Sequence, residues 1–318
     1  MKRKKDLYKN LLKMENILKA YNEVCSHTKN KRKVRNYKEN KCIYISRIYN
    51  ILKNKEYVVG KYNVFTIYEP KKRVIVSQNL QDKVINHLIS RQILYPALIP
   101  CLINENVASI ENKGTRYGLE LAQKFHTICK MKYKEYYILK CDVSKFFASI
   151  DKEILKNKIL KKIKDKDALE IVFKVIDSQE QGLGIGNMTS QVLAVFYLND
   201  MDHFIKEKLK IKYYVRYQDD FLLFHNSKKY LRYCLEEIKQ FLGKEKLVLN
   251  KKSRIYKNTN IFIFLGRDKK GRYAKYREVK RKIKKKKYLY ETNKIDLMSY
   301  MTTRICYSKL LKKEIKNI

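Results

Sequence analysis

The hydrophobic pattern predicts three short strands, two of which form a hairpin. Apolar and aromatic residues dominate positions 136–141, 213–216 and 221–224. Short apolar runs that are rich in aromatic and β-branched residues are typical of buried strands. Only the run Tyr-Gln-Asp-Asp at 217–220 separates the second run from the third. These two strands are therefore predicted to be joined by a tight turn.

Elsewhere in the chain, apolar residues recur at helical spacing and predict helices. Asp151 suits a helix N-cap, and apolar residues follow it on one helical face at Ile154, Leu155, Ile159 and Ile163. Helical patterns also cover three further segments, 78–94, 192–210 and 227–241. The last of these begins at Ser227 and has Gly243 just past its end, as helix boundaries often do. With only 9 Gly and 3 Pro, no linker divides the chain, so we expect its subdomains to interleave.

Two adjacent carboxylates occupy the predicted hairpin turn. Asp219 and Asp220 would repel each other there unless a divalent cation offset their charge. A surface Asp-Asp turn is the alternative, because Asp is a common turn residue. A third carboxylate, Asp142, closes the strand at 136–141, which can lie beside the hairpin in one sheet. Three such carboxylates would hold two Mg²⁺ ions about 3.5–4 Å apart, as in a nucleotidyl transferase.

Four motifs that follow one another along the chain resemble those of reverse transcriptases. Asp142 with the two phenylalanines that follow it resembles motif A, and residues 217–220 resemble the family's YxDD box. Between them, residues 182–191 resemble motif B. Residues 262–266 resemble the primer-grip hairpin, and the basic segment 71–73 extends the likeness toward the amino terminus.

The resemblance implies an α+β right-hand polymerase, with an antiparallel palm sheet flanked by helices and a short helical thumb. Residues 1–135 would form the fingers with an N-terminal extension. The palm would span 136–270, with an interleaved fingers segment at about 151–182, and 271–318 would form a short basic thumb. The implied activity is that of an RNA-directed DNA polymerase, which extends a DNA or RNA primer on an RNA template with dNTPs.

The resemblance also assigns roles to the carboxylates. Asp142 and Asp219 would bind both Mg²⁺ ions, for which Mn²⁺ can substitute. The Val143 carbonyl would bind the nucleotide-side ion, and Asp220 would support the site. The primer 3′-hydroxyl would then attack the α-phosphorus of the nucleotide, and pyrophosphate would leave.

Further positions are assigned to the nucleotide and the primer. Arg73 suits a triphosphate because a planar guanidinium fits phosphate geometry; Lys71 is a second candidate, with a solvated surface role as its alternative. Phe147 occupies the family's steric-gate position, where a ring excludes a ribose 2′-hydroxyl, and core packing is its alternative role. The remaining assignments are nucleotide binding for Ile185, Gly186 and Gln191, the YxDD box for Tyr217 and Gln218, and the primer grip for Phe264, Leu265 and Gly266.

Motif B points to a subfamily. Most reverse transcriptases open it with Gln-Gly and end it with Ser-Pro, whereas this chain has Ile185-Gly186 and Ser190-Gln191, which resembles diversity-generating retroelement enzymes. An apolar Ile185 cannot hydrogen-bond near the nascent base pair, which would lower discrimination, and plain core packing is its alternative role. The resemblance implies error-prone copying, especially opposite template adenines. The partners of such a retroelement enzyme would be a structured noncoding RNA and an accessory variability protein. A defence-associated bacterial reverse transcriptase with its own noncoding RNA and a noncatalytic RNA-binding scaffold are the alternatives.

The charge balance agrees with a nucleic-acid partner. Lys and Arg number 73 against 32 acidic residues, a formal net charge of +41, so polyanion binding should weaken steeply with salt. An AT-rich genome also raises Lys, Asn, Ile and Tyr, but it does not explain the shortage of acids. The basic run at 280–287 suits a thumb that follows a duplex backbone, with a disordered tail as the alternative.

Cysteine usage and hydropathy argue against a disulfide-rich, zinc-binding, membrane-spanning or secreted protein. The seven cysteines are odd in number and form no C-x-x-C pair, so neither a disulfide framework nor a zinc site is expected. No apolar run reaches the length of about 18 residues that a membrane helix needs. The basic start is not followed by the apolar segment of a secretory signal. We therefore expect a cytoplasmic protein without a membrane partner.

Overall fold

The computed structural model describes residues 3–28, 30–67, 73–259, 263–268 and 276–315. Within them, helices surround a four-stranded antiparallel sheet, and two small strand pairs lie apart from it. The predicted α+β class, with an antiparallel sheet flanked by helices, is confirmed. Lys71, a nucleotide-binding candidate, and Phe262, in the predicted primer-grip segment, lie outside the described residues.

The amino-terminal part combines helices with one hairpin. A 3₁₀ segment, Tyr8–Leu12, comes first, and a π-helical segment, Ser90–Leu94, continues the fourth α-helix. Strands β1 (Asn63–Ile67) and β2 (Arg73–Ser77) pair antiparallel. The helices of this part are α1 (Met14–His27), α2 (Lys31–Glu39), α3 (Lys41–Lys53), α4 (Leu80–Ile89), α5 (Tyr95–Leu98) and α6 (Thr115–Lys132).

The central sheet contains the three predicted strands and a fourth. Its strands are β3 (Tyr137–Asp142), β4 (Tyr213–Tyr217), β5 (Asp220–His225) and β6 (Arg254–Lys257). The spatial order is β4-β5-β3-β6, and every neighbouring pair is antiparallel. The carboxyl end of β3 therefore lies beside the amino end of β5, where the predicted hairpin turns.

Both faces of the central sheet are buried. Leu139 and Phe221 belong to the larger core, which the sheet forms with most of the helices. Ile138 and Leu222 face the opposite way and join a smaller core with residues of α6. Successive side chains of a strand point to opposite faces, so burial on both faces explains why the strands appear as continuous apolar runs.

Six further helices of the described chain share the larger core with the sheet. They are α7 (Phe146–Ser149), α8 (Lys152–Leu160), α9 (Lys166–Asp177), α10 (Met188–Tyr197), α11 (Asn199–His203) and α12 (Lys228–Lys244). Asp151 caps α8 by accepting the backbone N–H of Ile154 at 2.9 Å. Ser227 caps α12 in the same way, through the backbone N–H of Tyr230 at 3.1 Å. Both predicted helix starts are confirmed.

Two other helix predictions are wrong in detail. The single helix expected at 192–210 begins earlier and is interrupted at Leu198, whose φ of −88° and ψ of 7° are not helical. The chain then continues as α11 and a π-helical segment, Phe204–Lys208. Gly243 lies inside α12 and not past its end. The buried side chain of Leu242 explains the longer helix, because core packing can outweigh the low helix propensity of glycine.

The carboxyl-terminal part holds a small hairpin and two helices. Strands β7 (Ile263–Phe264) and β8 (Arg267–Asp268) pair antiparallel outside the central sheet. Helices α13 (Tyr276–Glu291) and α14 (Leu297–Ile315) follow, and the basic run at 280–287 is part of α13 rather than a disordered tail. No helix of the described ranges has the length and apolarity to cross a membrane. None of the seven cysteines, all of them described, is in a disulfide.

Candidate active site at the end of the central sheet

The end of the central sheet brings together the backbones of the three predicted catalytic residues. In the antiparallel register of β3 and β5, Asp142 pairs directly with Asp220. Asp219 precedes Asp220 in the hairpin turn, and its carbonyl oxygen accepts the backbone N–H of Val143 at 3.2 Å. Val143 is the residue that follows Asp142. Two carboxylate-bearing segments are thus hydrogen-bonded to each other where the strands end.

The hairpin turn has a defined conformation. Tyr217 of β4 pairs with Asp220 of β5, which leaves Gln218 and Asp219 as the turn residues. Gln218 has a φ of 55°, the positive φ that tight hairpin turns require. Its side-chain amide donates to the hydroxyl of Ser109 at 3.0 Å, which ties the turn to the loop between α5 and α6.

Asp142 is oriented by neighbours on the chain segment that precedes β6. The side-chain amide of Asn250 donates to Asp142 Oδ2 at 2.9 Å, and the backbone N–H of Asn250 donates to the Asp142 carbonyl at 2.7 Å. The Asp142 N–H in turn donates to the hydroxyl of Ser253 at 3.3 Å. The carboxylate is therefore fixed from one side and partly exposed on the other.

Asp220 has the more perturbed environment. Burial raises the pKa of its carboxyl to about 6; the ammonium of Lys140 opposes this rise, while the carboxylates of Asp142 and Asp219 add to it. Lys140 Nζ lies 3.3 Å from Asp220 Oδ2. Oδ1 is buried and has no hydrogen-bond partner among the described residues. One oxygen of Asp220 is thus left to accept a cation or a proton.

The residues at this end of the sheet suit a hard cation. Among the described residues, no three His, Cys, Asp or Glu side chains are arranged to hold a metal ion. Lys140 contacts the Asp220 carboxylate, and Asn250 contacts that of Asp142. The donors are carboxylate oxygens together with the Val143 carbonyl, and oxygen ligands are those that Mg²⁺ prefers. The unpartnered Oδ1 of Asp220 is a further oxygen donor. The chemistry of this donor set fits Mg²⁺.

A buried arginine supports the turn. Arg216 precedes the YxDD box, has no solvent exposure and donates through Nη1 to the Gln218 carbonyl at 3.1 Å. It also donates through Nη2 to the Val195 carbonyl at 3.1 Å. No role was predicted for Arg216 from the sequence. The available signal was a cation inside the apolar run 213–216, because a charge in a buried strand requires a buried partner.

Residues 182–187 of the predicted motif B segment form a loop held between β2 and α7, and residues 188–191 begin α10. The Ile185 carbonyl accepts the backbone N–H of Val76 at 3.0 Å. Gly186 has a φ of 131°, and a Cβ there would lie 3.0 Å from the Val76 oxygen. Gly182 has a φ of 55°, and its Cβ would lie 2.3 Å from the Phe147 carbonyl oxygen. The two glycines allow the loop to approach both neighbouring backbones.

Of the predicted primer-grip residues, Phe264 ends β7, and Leu265 and Gly266 form the turn between β7 and β8. Phe264 is buried in the smaller core. Leu265 and Gly266 have φ values of 50° and 78°, so both lie in the left-handed region. A Cβ on Gly118 of α6 would lie 3.2 Å from Leu265 Cδ1, which shows how closely the turn packs on that helix. The ammonium of Lys140 also donates to the carbonyl of Ile263.

A family model described as "Reverse transcriptase (RNA-dependent DNA polymerase)" matches residues 51–269. The matched segment contains the whole central sheet and the hairpin β7–β8. The chain belongs to the reverse transcriptase family. Its matched domain is that of an RNA-directed DNA polymerase, which is a nucleotidyltransferase. No curated protein sequence matches this reverse transcriptase.

Solved telomerase structures share the fold of this reverse transcriptase. One is apo telomerase from Candida tropicalis truncated from its C-terminal domain, with a TM-score of 0.51, 16% identity, and coverage of 69% of this chain and 56% of that chain. Apo telomerase from Candida tropicalis gives a TM-score of 0.51 and 16% identity over 66% of this chain and 47% of that chain. The reverse transcriptase chain thus spans about half the length of these telomerase chains. At this identity, the likeness concerns the fold alone.

The other nucleotide-binding candidates of the reverse transcriptase lie on the elements around motif B. Phe147 is partly buried and packs against the larger core, with its ring 5.6 Å from that of Phe146. Gln191 is exposed on α10, and its backbone N–H donates to the Asn187 carbonyl at 3.3 Å. Arg73 is exposed at the start of β2.

The reverse transcriptase also has a basic groove of about 1220 Å³ between helices α2 and α3 and the hairpin β1–β2. Its described lining contains no carboxylate and four cationic side chains, those of Arg32, Lys33, Arg47 and Lys83. Burial lowers the pKa of Lys83, and the nearby charge of Lys33 lowers it further. Positive charges that lack acidic neighbours attract a phosphate backbone.

Proposed function

We propose that this chain is an RNA-directed DNA polymerase that extends a DNA or RNA primer on an RNA template with dNTPs. The observation that carries the proposal is the register of β3 and β5, which sets Asp142 opposite Asp220 with Asp219 on the adjoining turn. Family membership supports the same reaction. The basic groove supports a polyanionic partner. It suits the template strand because β2 lines the groove at Ser77 and bonds the motif B loop through Val76.

In this proposal, Asp142 and Asp219 would hold two Mg²⁺ ions together with the Val143 carbonyl, and Asp220 would support them; Mn²⁺ could replace Mg²⁺. When bound, the ions would stabilise the attacking and leaving oxygens of an in-line displacement. Asn250 keeps the Asp142 carboxylate in one orientation through its 2.9 Å hydrogen bond. The β7–β8 turn, with Phe264, presents the primer end to this site.

The chain's other residues select and hold the nucleotide. The Phe147 ring would exclude a ribose 2′-hydroxyl, and Arg73 would bind the triphosphate through its guanidinium. Ile185, Gly186 and Gln191 would line the pocket of the nascent pair. Because the side chain of Ile185 is apolar, it cannot discriminate between correct and incorrect base pairs by a hydrogen bond.

The finer proposal is error-prone copying of a dedicated structured noncoding RNA in a diversity-generating retroelement. It is supported by the pattern of Ile185-Gly186 and Ser190-Gln191 in motif B. An accessory variability protein would be a further partner. Sequencing the RNA that copurifies with the chain, together with its extension products, tests this. Products with errors at template adenines would support diversification, and faithful copies of a noncoding RNA would favour a defence-associated enzyme.

The activity itself is tested by primer extension on an RNA template. Asp142→Asn and Asp219→Asn are expected to reduce extension by at least about 100-fold, because each removes charge from the site of bond formation. Asp177→Asn is the matched control, since Asp177 is an exposed acid at the end of α9. Binding of the primer–template should stay within about twofold in all variants, because basic residues dominate it.

Unimpaired extension by Asp142→Asn would contradict the assigned chemistry. A wild-type chain that binds RNA but extends no primer would instead support the noncatalytic scaffold.

A further inference from the structure

Lys140 contacts both the carboxylate of Asp220 and the primer-grip hairpin. Its ammonium lies 3.3 Å from Asp220 Oδ2 and donates to the carbonyl of Ile263, the first residue of β7. Many lysines of this basic chain lie on the surface, but the Lys140 side chain is only 22% exposed. It is therefore held in one place, between two parts of the proposed active site.

The register of the sheet explains the first contact. Lys140 and Asp142 are two residues apart on β3, so their side chains share one face of the sheet. Lys140 pairs with Leu222, and Asp142 pairs with Asp220. Lys140 and Asp220 are therefore diagonal neighbours, a separation of about 7–8 Å that a long side chain can bridge.

The second contact reaches a different structural unit. Strands β7 and β8 have two residues each and pair only with each other among the described strands. Phe264 and Leu265 pack the hairpin on the smaller core through apolar contacts, which have little directional preference. The bond to the Ile263 carbonyl is directional and charge-assisted, so it limits how the hairpin can shift relative to β3.

One ammonium carries three donors and no acceptor, so it can bind a carboxylate and a carbonyl at the same time. We propose that Lys140 is a positioning residue that fixes the primer-grip hairpin relative to the catalytic carboxylates by bonding Asp220 and Ile263 together. This role rests on the proposed polymerase function and adds to it a determinant of primer placement. Lys140 itself need not touch the reacting atoms.

Lys140→Met removes the ammonium and keeps an unbranched side chain, and Lys140→Arg keeps the charge and donors. Lys257→Met is the matched control, because Lys257 lies on β6 at the far end of the same sheet and pairs with Glu135 at the surface. Two measurements are made on the full chain. Amide hydrogen exchange of the segment 263–268 is measured without nucleic acid, and primer extension is measured against primer concentration.

We expect Lys140→Met to speed exchange at 263–268 and to raise the primer KM by about tenfold, the effect of one lost charged hydrogen bond. The extension rate of Lys140→Met at saturating primer should fall by a much smaller factor than the primer KM rises. Lys140→Arg should restore most of the primer affinity. Lys257→Met should match the wild type in both measurements. A fluorescent DNA primer annealed to RNA, bound in EDTA, should show the same loss of affinity without any metal.

Unchanged exchange and primer KM in Lys140→Met, with only the saturated rate reduced, would overturn the proposal and reduce Lys140 to a counter-charge for Asp220. Such a result would leave the polymerase function intact. A wild-type chain that extends no primer would instead contradict the polymerase function and the primer role of Lys140 together. The exchange measurement would still report whether Lys140 anchors the hairpin.

Discussion

Arg216 and Asp202 form an ion pair in which neither side chain is exposed to solvent. Arg216 Nε donates to Asp202 Oδ1 at 2.7 Å, and Nη2 donates to Oδ2 at 2.5 Å. The Tyr214 hydroxyl donates to the same carboxylate at 2.7 Å. Because Arg216 also binds the Gln218 carbonyl, one planar guanidinium connects α11 to the turn that carries Asp219.

Removing one partner of this pair should be strongly destabilising. We expect Arg216→Met to lower the free energy of unfolding by about 3–5 kcal/mol, because Asp202 would remain as a buried charge without its cation. The double variant Arg216→Met, Asp202→Leu should recover much of this loss, since it buries apolar groups instead. Urea unfolding measures both, and Arg232→Met on the exposed side of α12 is the control.

A double variant as unstable as Arg216→Met alone would contradict this account of the pair. Where the double variant folds, its primer extension should remain reduced, because the Gln218 carbonyl has lost its arginine donor. Full activity in that variant would show that the pair stabilises the fold without positioning the turn.

The steric-gate prediction is tested at Phe147. Phe147→Ala should increase the incorporation of ribonucleotides relative to deoxynucleotides, because the missing ring leaves room for a 2′-hydroxyl. Single-nucleotide extension with each nucleotide type gives the ratio. Phe173→Ala on α9 removes a ring of equal size from a helix outside the candidate site and should leave the ratio unchanged. If Phe147→Ala gains no ribonucleotide use, core packing is the role of this ring.

Ile185 is expected to limit fidelity. Ile185→Gln should reduce misincorporation opposite template adenines by about tenfold, because a hydrogen-bonding side chain discriminates better than an apolar one. The Ile185 main-chain bond to Val76 does not involve the side chain, so the loop should keep its position. Sequencing of extension products measures the errors, with Ile185→Val as the apolar control. An error spectrum of Ile185→Gln equal to that of the control would remove this role.

Features that depend on the local pattern of apolar and polar residues could be predicted from the sequence. The hairpin around Asp219 and the helix starts at Asp151 and Ser227 follow from apolar runs, turn residues and capping chemistry, which act over a few residues. The adjacency of Asp142 and Asp220 needed one further step, the assumption that the two strands share a sheet. The register gives that adjacency directly.

The rest depends on contacts between distant parts of the chain. The break at Leu198 has no Gly or Pro to signal it, and the helix pattern continues through it. The partners of Arg216 and Lys140 lie on other elements, so neither residue could be given a role from spacing alone. Long-range packing decides such positions, and local propensity is a weak guide to them.

Gly182 and Gly243 offer a direct test of which glycines the fold requires. An alanine Cβ at Gly182 would lie 2.3 Å from the Phe147 carbonyl oxygen at a φ of 55°, so Gly182→Ala should destabilise the protein by about 1–3 kcal/mol and displace the motif B loop from α7. Gly243→Ala meets nothing within 4 Å inside α12 and should stabilise the protein by about 0.4–1 kcal/mol. Thermal unfolding of both variants measures the difference. Equal shifts of the same sign would show that the loop at Gly182 adapts and does not need a glycine.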